Sequence, residues 1–387
     1  MTDSRPALPG APPPLRRRRP ARVRLPPARD EWFLPLSVGT ALLFVLAGGT
    51  LLRGLSQPLW LAVVFVWLFA AVLGSALSVV RHADHLAVRL GEPFGTLVLT
   101  LSITFIEVTS ISAVMLHGAN NPTLARDTLF AVVMIILNGM VGLSLLLGGW
   151  RHNEQHYNLK GANAYLSVIV PLVVLSLVLP DYTQTTAGPT LSGPQQGFLV
   201  LVAVGLYAAF LAIQTGRHSS YFQEGEIALE ARATPVLRPV LGHAALLFAY
   251  LLPVVFLAEQ LAHPVDYLVE TLHAPAALGG VIVAVLVATP EAIGAVRAAL
   301  ANHLQRSVNI FLGSILSTIG LTVPAMILIS HLIGRNIILG VEHSDLVMLL
   351  LTLGVSVVTF ASGNTNVIQG AVHLILFAAY LLLIVQG

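Results

Sequence analysis

From Trp32 to its end, the chain repeats one pattern: apolar runs of about 20 residues joined by short polar links. A run of that length matches the hydrocarbon core of a bilayer. Backbone groups inside lipid must pair within their own segment, so a helix is the structure such a run can form. The runs fall at residues 33–52, 58–79, 94–117, 127–150, 163–180, 195–215, 240–262, 276–300, 307–331, 344–363 and 366–386. The expected fold class is an all-α polytopic membrane protein with eleven transmembrane helices. With 56% hydrophobic and 10% charged residues, the composition excludes a soluble globular domain. The absence of cysteine excludes disulfides, thiolate metal sites and cysteine nucleophiles.

Basic residues orient the chain, because short cytoplasmic loops collect Lys and Arg. With the N-terminus in the cytoplasm, 17 of the 20 basic residues fall inside, and the outer links keep only Arg53, Arg126 and Arg335. The C-terminus is then outside. Residues 1–31 combine eight prolines with the run Arg16 to Arg19, so they are expected to be a disordered basic cytoplasmic tail. Such a tail touches anionic lipid rather than nucleic acid, and no removable signal peptide is evident. Residues 32–57 form an extra transmembrane helix. A first five-helix unit then covers 58–215, a cytoplasmic linker with Glu224, Glu226 and Glu230 covers 216–239, and a second five-helix unit covers 240–387.

The two units share internal spacing. Gly95 precedes Glu107 by twelve residues, as Gly279 precedes Glu291. Asn138, Gly142 and Gly149 are spaced like Asn309, Gly313 and Gly320. An odd number of spans per unit forces the second to enter the membrane from the opposite face, the inverted-repeat plan of many transporters.

A carboxylate deep in a membrane helix costs roughly 2.5 to 3.5 kcal/mol on insertion scales and is kept where it pairs or binds something. Glu107 is fourteenth in the run 94–117 and Glu291 sixteenth in 276–300, so both lie near mid-membrane. Thr100, Thr104 and Glu107 share a stripe on the third helix, with Ser110 one turn on. Around Glu291 the eighth helix carries small residues, and Pro290 is expected to bend it and free the Leu286 carbonyl. Glu107 and Glu291, with Asn138 and Asn309 and with Thr104 and Thr289 in support, make an all-oxygen set. Hard cations such as Ca²⁺ take about six to eight oxygens. Two neighbouring carboxylates in low dielectric cannot both stay ionised without a cation, so the pair holds either metal or protons. Arg297 is expected to snorkel to the inner surface rather than pair with Glu291.

Lesser candidates have blander readings. Thr352, Ser356 and Thr359 suit interhelical hydrogen bonds as well as a pathway, and His373 suits a satisfied interhelical contact. His152 and His156 have metal-ligand spacing in a short, exposed link and read as surface histidines.

Three segments carry a resemblance: G-E-P-F-G-T-L-V-L-T-L-S-I-T-F-I-E-V at 91–108, L-N-G-M-V-G-L-S-L-L-L-G-G-W-R-H-N-E-Q-H-Y-N-L-K-G-A-N-A-Y-L at 137–166, and A-T-P-E-A-I-G-A-V-R-A-A-L-A-N-H-L-Q-R-S-V-N-I-F-L-G-S at 288–314. The chain resembles the calcium/cation antiporter superfamily in its cation/proton exchanger branch, and within it the bacterial ChaA-type calcium/proton and sodium, potassium/proton antiporters. That resemblance implies one extra helix plus two inverted five-helix repeats in the bacterial inner membrane. It also implies Glu107 and Glu291 as ion ligands and proton acceptors, with Asn138 and Asn309 as supporting ligands. The sequence departs from the G-N-x-x-E signature, since I-T-F-I precedes Glu107 and A-T-P precedes Glu291.

The resulting expectation is a secondary antiporter with Ca²⁺ as the leading cation, Na⁺ or K⁺ as the alternative, H⁺ as the counter-ion and no cofactor. Its partners are cations, protons and the lipid bilayer, with a second copy of the chain kept as a candidate and no nucleic acid. H-E-x-x-H and G-x-S-x-G are absent, so the chain is not expected to be an enzyme of those classes. An ion channel is the alternative from another class.

Overall fold

The computed structural model describes residues 31–91, 94–117, 122–186, 188–222 and 237–386. The run Arg16 to Arg19 and the linker residues Glu224, Glu226 and Glu230 lie outside them, and so do the expectations placed on the basic run and on the acidic residues of the linker.

Eleven apolar helices follow in order among the described residues: α1 (Phe33–Ser56), α2 (Pro58–Leu90), α3 (Phe94–Leu116), α4 (Leu124–His152), α5 (Leu159–Tyr182), α6 (Gly193–Thr215), α7 (Val240–Thr271), α8 (Ala277–Leu300), α9 (Leu304–Ile333), α10 (His343–Thr359) and α11 (Val367–Gln386). All but α10 are long and apolar enough to cross a bilayer, and α10 is 17 residues. Punctuation follows the sequence. Pro58 opens α2, the Asn158 side chain accepts from the amides of Lys160 and Gly161 at the start of α5, and Ser192 with Gln195 forms a capping box on α6. Gly334 ends α9 at φ 65°, a left-handed conformation that suits glycine.

One small departure qualifies the all-helical expectation. Residues Gln155–His156 (β1) pair antiparallel with Asn364–Thr365 (β2), so the ends of α4 and α10 are joined by a two-residue ladder. Helix α8, where a bend is expected at Pro290, runs from Ala277 to Leu300 without interruption. The irregularities lie elsewhere, in π turns at 174–178 in α5 and 267–271 in α7, each beginning three residues after a proline, Pro171 or Pro264. Two more lie mid-way along α4 (135–140) and α9 (318–322). A proline removes one N–H, and the helix absorbs that loss by widening downstream or by staying regular, as at Pro253 and Pro290.

The packing is reciprocal. Helix α3 lies on the π turn of α9, and α8 lies on the π turn of α4. Helices α2 and α7 pack along one another. At one end of that contact His82 Nδ1 is 3.0 Å from His243 Nδ1, and Glu31 Oε2 accepts from Arg81 at 2.9 Å and Tyr250 at 3.0 Å. Large apolar side chains on the outer faces of α1, α6 and α7, among them Leu46, Leu201 and Leu252, stay exposed on the bundle and face where lipid would be.

Candidate functional site

Helices α3 and α9 bring the first carboxylate into place. Glu107 is 1% exposed. Its Oε2 accepts from Thr322 Oγ1 at 2.8 Å and from Thr318 Oγ1 at 3.1 Å, both in the π turn of α9. Thr318 and Thr322 are one helical turn apart, so a single carboxylate oxygen can take both. Its other oxygen, Oε1, is buried and has no hydrogen-bond partner. Thr104 Oγ1 and Ser110 Oγ are in the same condition, three residues before and after it, on the same face of α3. Three orphaned oxygens in one stripe are an exception that buried polar groups rarely show.

The second carboxylate is held within its own half of the chain. Glu291 is buried at 9% exposure, and its Oε2 accepts the hydroxyl of Ser314 on α9. The two glutamates lie within electrostatic reach of each other. Among the described residues neither forms an ion pair, and Arg297 is exposed. A cavity of about 300 Å³ reaches Glu291. It is lined by Thr100, Asn309, Ser314 and Ser317 and extends to Asp84 and Arg306 near the ends of their helices.

The remaining expected ligands are placed differently. Asn138 is fully buried, but its Nδ2 donates to Thr352 Oγ1 at 2.8 Å and its Oδ1 lies 3.3 Å from His373 Nδ1. Asn309 lines the cavity, with Nδ2 donating to the Phe222 carbonyl at 2.6 Å and Oδ1 accepting from Gln305 at 2.9 Å. The half-buried Thr289 turns its hydroxyl back onto the Val285 carbonyl of its own helix. The structure thus brings Glu107 and Glu291 together, keeps Thr104 beside Glu107, and engages the amides of Asn138 and Asn309 elsewhere.

The two asparagines stand at different points along their helices. Asn138 lies inside the π turn of α4, whereas Asn309 lies nine residues before the π turn of α9. Thr318 and Thr322 stand in the π turn of α9 as Asn138 stands in that of α4. Ser314, Thr318 and Thr322 were the missed residues. Their four-residue spacing is a hydroxyl stripe like that of α3, hidden by matching asparagines and glycines instead.

Among the lesser candidates Thr352, Thr359 and His373 are hydrogen-bonded, whereas the buried Ser356 hydroxyl has no partner. His373 is fully buried, with Nε2 3.0 Å from Thr359 Oγ1. His152 Nε2 meets the Leu300 carbonyl and His156 Nδ1 meets Asn364 Oδ1, so they do not share a ligand. No group of three or more His, Asp or Glu among the described residues could hold a metal ion. Two carboxylates and several hydroxyls gather here as an all-oxygen group.

Comparison with known proteins places this geometry in context. The sodium/calcium exchanger protein family matches residues 60–216 and 242–386. The protein y4hA of Sinorhizobium fredii is 43% identical over 91% of this chain and 95% of its own length. The sodium-potassium/proton antiporter ChaA of Escherichia coli is 40% identical over 81% of this chain and 86% of its own. The Ca²⁺/H⁺ antiporter ChaA of Bacillus subtilis is 22% identical over 83% and 91%. The structure of native YfkE superposes with a TM-score of 0.70 at 19% identity, covering 92% of this chain and 100% of that one, and so shares its fold.

Proposed function

The chain belongs to the sodium/calcium exchanger protein family and is a cation/proton antiporter of the membrane, not an enzyme; from that premise we propose that it exports Ca²⁺ in exchange for H⁺ through Glu107 and Glu291. The observation that carries the reading is the set of buried oxygens without partners, Glu107 Oε1, Thr104 Oγ1 and Ser110 Oγ, beside a second carboxylate that forms no ion pair among the described residues. Buried oxygens left unpaired cost about 1 to 3 kcal/mol each, more for a charged one, and a bound cation or proton removes that cost. Ser314, Thr318 and Thr322 supply further oxygens. Asn309 lines the way in, and Asn138 stands outside the direct ligand set in this conformation.

The coupling follows from charge. With both glutamates ionised, the pair carries two negative charges in low dielectric, matched by one divalent cation or two protons. Loading with Ca²⁺ expels protons, and protonation expels Ca²⁺. The empty, unprotonated pair is the costly state, and avoiding it keeps exchange from becoming leak. The N-terminus is assigned to the cytoplasm of a bacterial cell, the protein to the inner membrane and the C-terminus to the outside. The cavity from Glu291 to Asp84 and Arg306 then opens inward. The halves 58–215 and 240–387 are the moving units, joined by the linker 216–239.

A second reading is Na⁺/H⁺ or K⁺/H⁺ exchange, favoured by the 40% identity to the sodium-potassium/proton antiporter ChaA of Escherichia coli. The deciding experiment is proton release from acid-loaded everted vesicles on adding Ca²⁺, Na⁺ or K⁺ separately. Release with Ca²⁺ at the lowest concentration supports the first reading, and release with Na⁺ or K⁺ alone replaces it with the second. Cation movement without any pH change would overturn antiport itself.

A further inference from the structure

Asn138 occupies a position in α4 that its own half of the site does not use. The π turn 135–140 reads Ile-Ile-Leu-Asn-Gly-Met, so Asn138 is its one polar side chain. Helix α8, which carries Glu291, packs against this turn. The corresponding turn of α9 sends Thr318 and Thr322 to Glu107. By that correspondence Asn138 is what the first turn has to offer the Glu291 side, yet its amide is gripped from the opposite direction.

The grip is specific. Thr352 on α10 accepts from Asn138 Nδ2 at 2.8 Å. On α11, His373 Nδ1 lies 3.3 Å from Asn138 Oδ1. An amide oxygen can only accept, so Nδ1 carries the proton, and in the neutral ring Nε2 takes the hydroxyl of Thr359, 3.0 Å away. Every side-chain group of His373 thus has a partner, at zero exposure. The ring reaches α4 because the helices cross at glycines. A Cβ on Gly370 would lie 2.9 Å from the Gly142 oxygen, and one on Gly142 would lie 2.9 Å from Leu374. Asn138 and His373 sit one turn away from that crossing.

We propose that His373 is a positioning residue for the cation site: with Thr352 it holds the Asn138 amide and the π turn of α4, and thereby sets the affinity with which the Glu291 side takes a cation. The proposal rests on the antiport reading above. It makes α10 and α11, which contribute no group to the glutamate pair, determinants of cation affinity.

The test is cation-driven proton release in everted vesicles, with KM and Vmax normalised to folded protein and melting temperature measured in parallel. His373→Phe keeps the ring volume and loses the donor. It is expected to raise KM roughly three- to tenfold with Vmax nearly unchanged. His373→Asn, whose amide nitrogen can stand where Nδ1 stood, is expected to recover most of that loss. In an Asn138→Ala background, His373→Phe is expected to change KM no further. An unchanged KM with only a lower melting temperature overturns the proposal, as does an equal KM shift with and without Asn138. Should His373→Phe fail to fold, Thr352→Val cuts the other hold on the same amide and must move KM in the same direction. A normal KM there also overturns it. Failure of the antiport reading is recognised separately, because wild-type vesicles would then release no protons with any cation.

Discussion

Thr322 on α9 donates its hydroxyl to Glu107 on α3 across 2.8 Å, joining residues 215 positions apart in the chain. The carboxylate of one half is held by a hydroxyl of the other, while Glu291 is held by Ser314 of its own half. The pair is therefore unequal, and each oxygen around it makes a distinct prediction.

Replacing either glutamate by its amide removes a charge and a proton acceptor while keeping shape. For Ca²⁺ exchange, Glu107→Gln and Glu291→Gln are each expected to abolish cation-driven proton release. For a single-charge ion, one variant is expected to be milder than the other. Normal exchange in both would falsify the mechanism.

Thr322→Val keeps volume and deletes the shorter of the two bonds to Glu107. Hydrogen bonds to charged groups contribute about 1.5 to 3 kcal/mol. KM for the cation is expected to rise roughly tenfold or more, with Vmax less affected. A KM equal to wild type would show that this hydroxyl plays no part in cation binding.

Protons and cation compete for the same oxygens, so KM is expected to fall as pH on the binding side rises from about 6 to 9. If Ca²⁺ needs both carboxylates free, log KM against pH approaches a slope of about −2, whereas a monovalent ion needing one gives about −1. A flat profile would disconnect the site from protons.

The crossing of α4 and α11 leaves no room for a methyl group. A Cβ on Gly370 would lie 2.8 Å from Leu146 Cα, whereas one on Gly205 in α6 would meet nothing within 4 Å. Gly370→Ala is expected to destabilise by about 1 to 3 kcal/mol, visible as a lowered melting temperature in detergent, and Gly205→Ala to be neutral. Equal melting of the two would refute the close approach.

How far the site could be read in advance depended on what each residue signals alone. Glu107 and Glu291 stood out because an unpaired carboxylate in an apolar run has few explanations. Thr104 and Ser110 followed from spacing along one helix. Ser314, Thr318 and Thr322 did not, because hydroxyls are common in membrane helices and nothing local says which carboxylate they meet. Asn138 and Asn309 were matched by spacing to neighbouring glycines, and the π turns, one of which holds Asn138 while the other lies beyond Asn309, leave little trace in a sequence. Thr289 fell beside Glu291 in sequence but turns its hydroxyl onto its own helix.

The sequence by itself determined the eleven helices and singled out the two buried carboxylates proposed as the site, because the cost of polar backbone and bare charge in lipid is local and severe. Only the tertiary structure decided which oxygens surround each carboxylate. That choice depends on how α3 meets α9, α8 meets α4, and α11 meets α4 at its glycines. Those contacts are made by packing between segments far apart in the chain, where one hydroxyl or amide competes with another for the same partner.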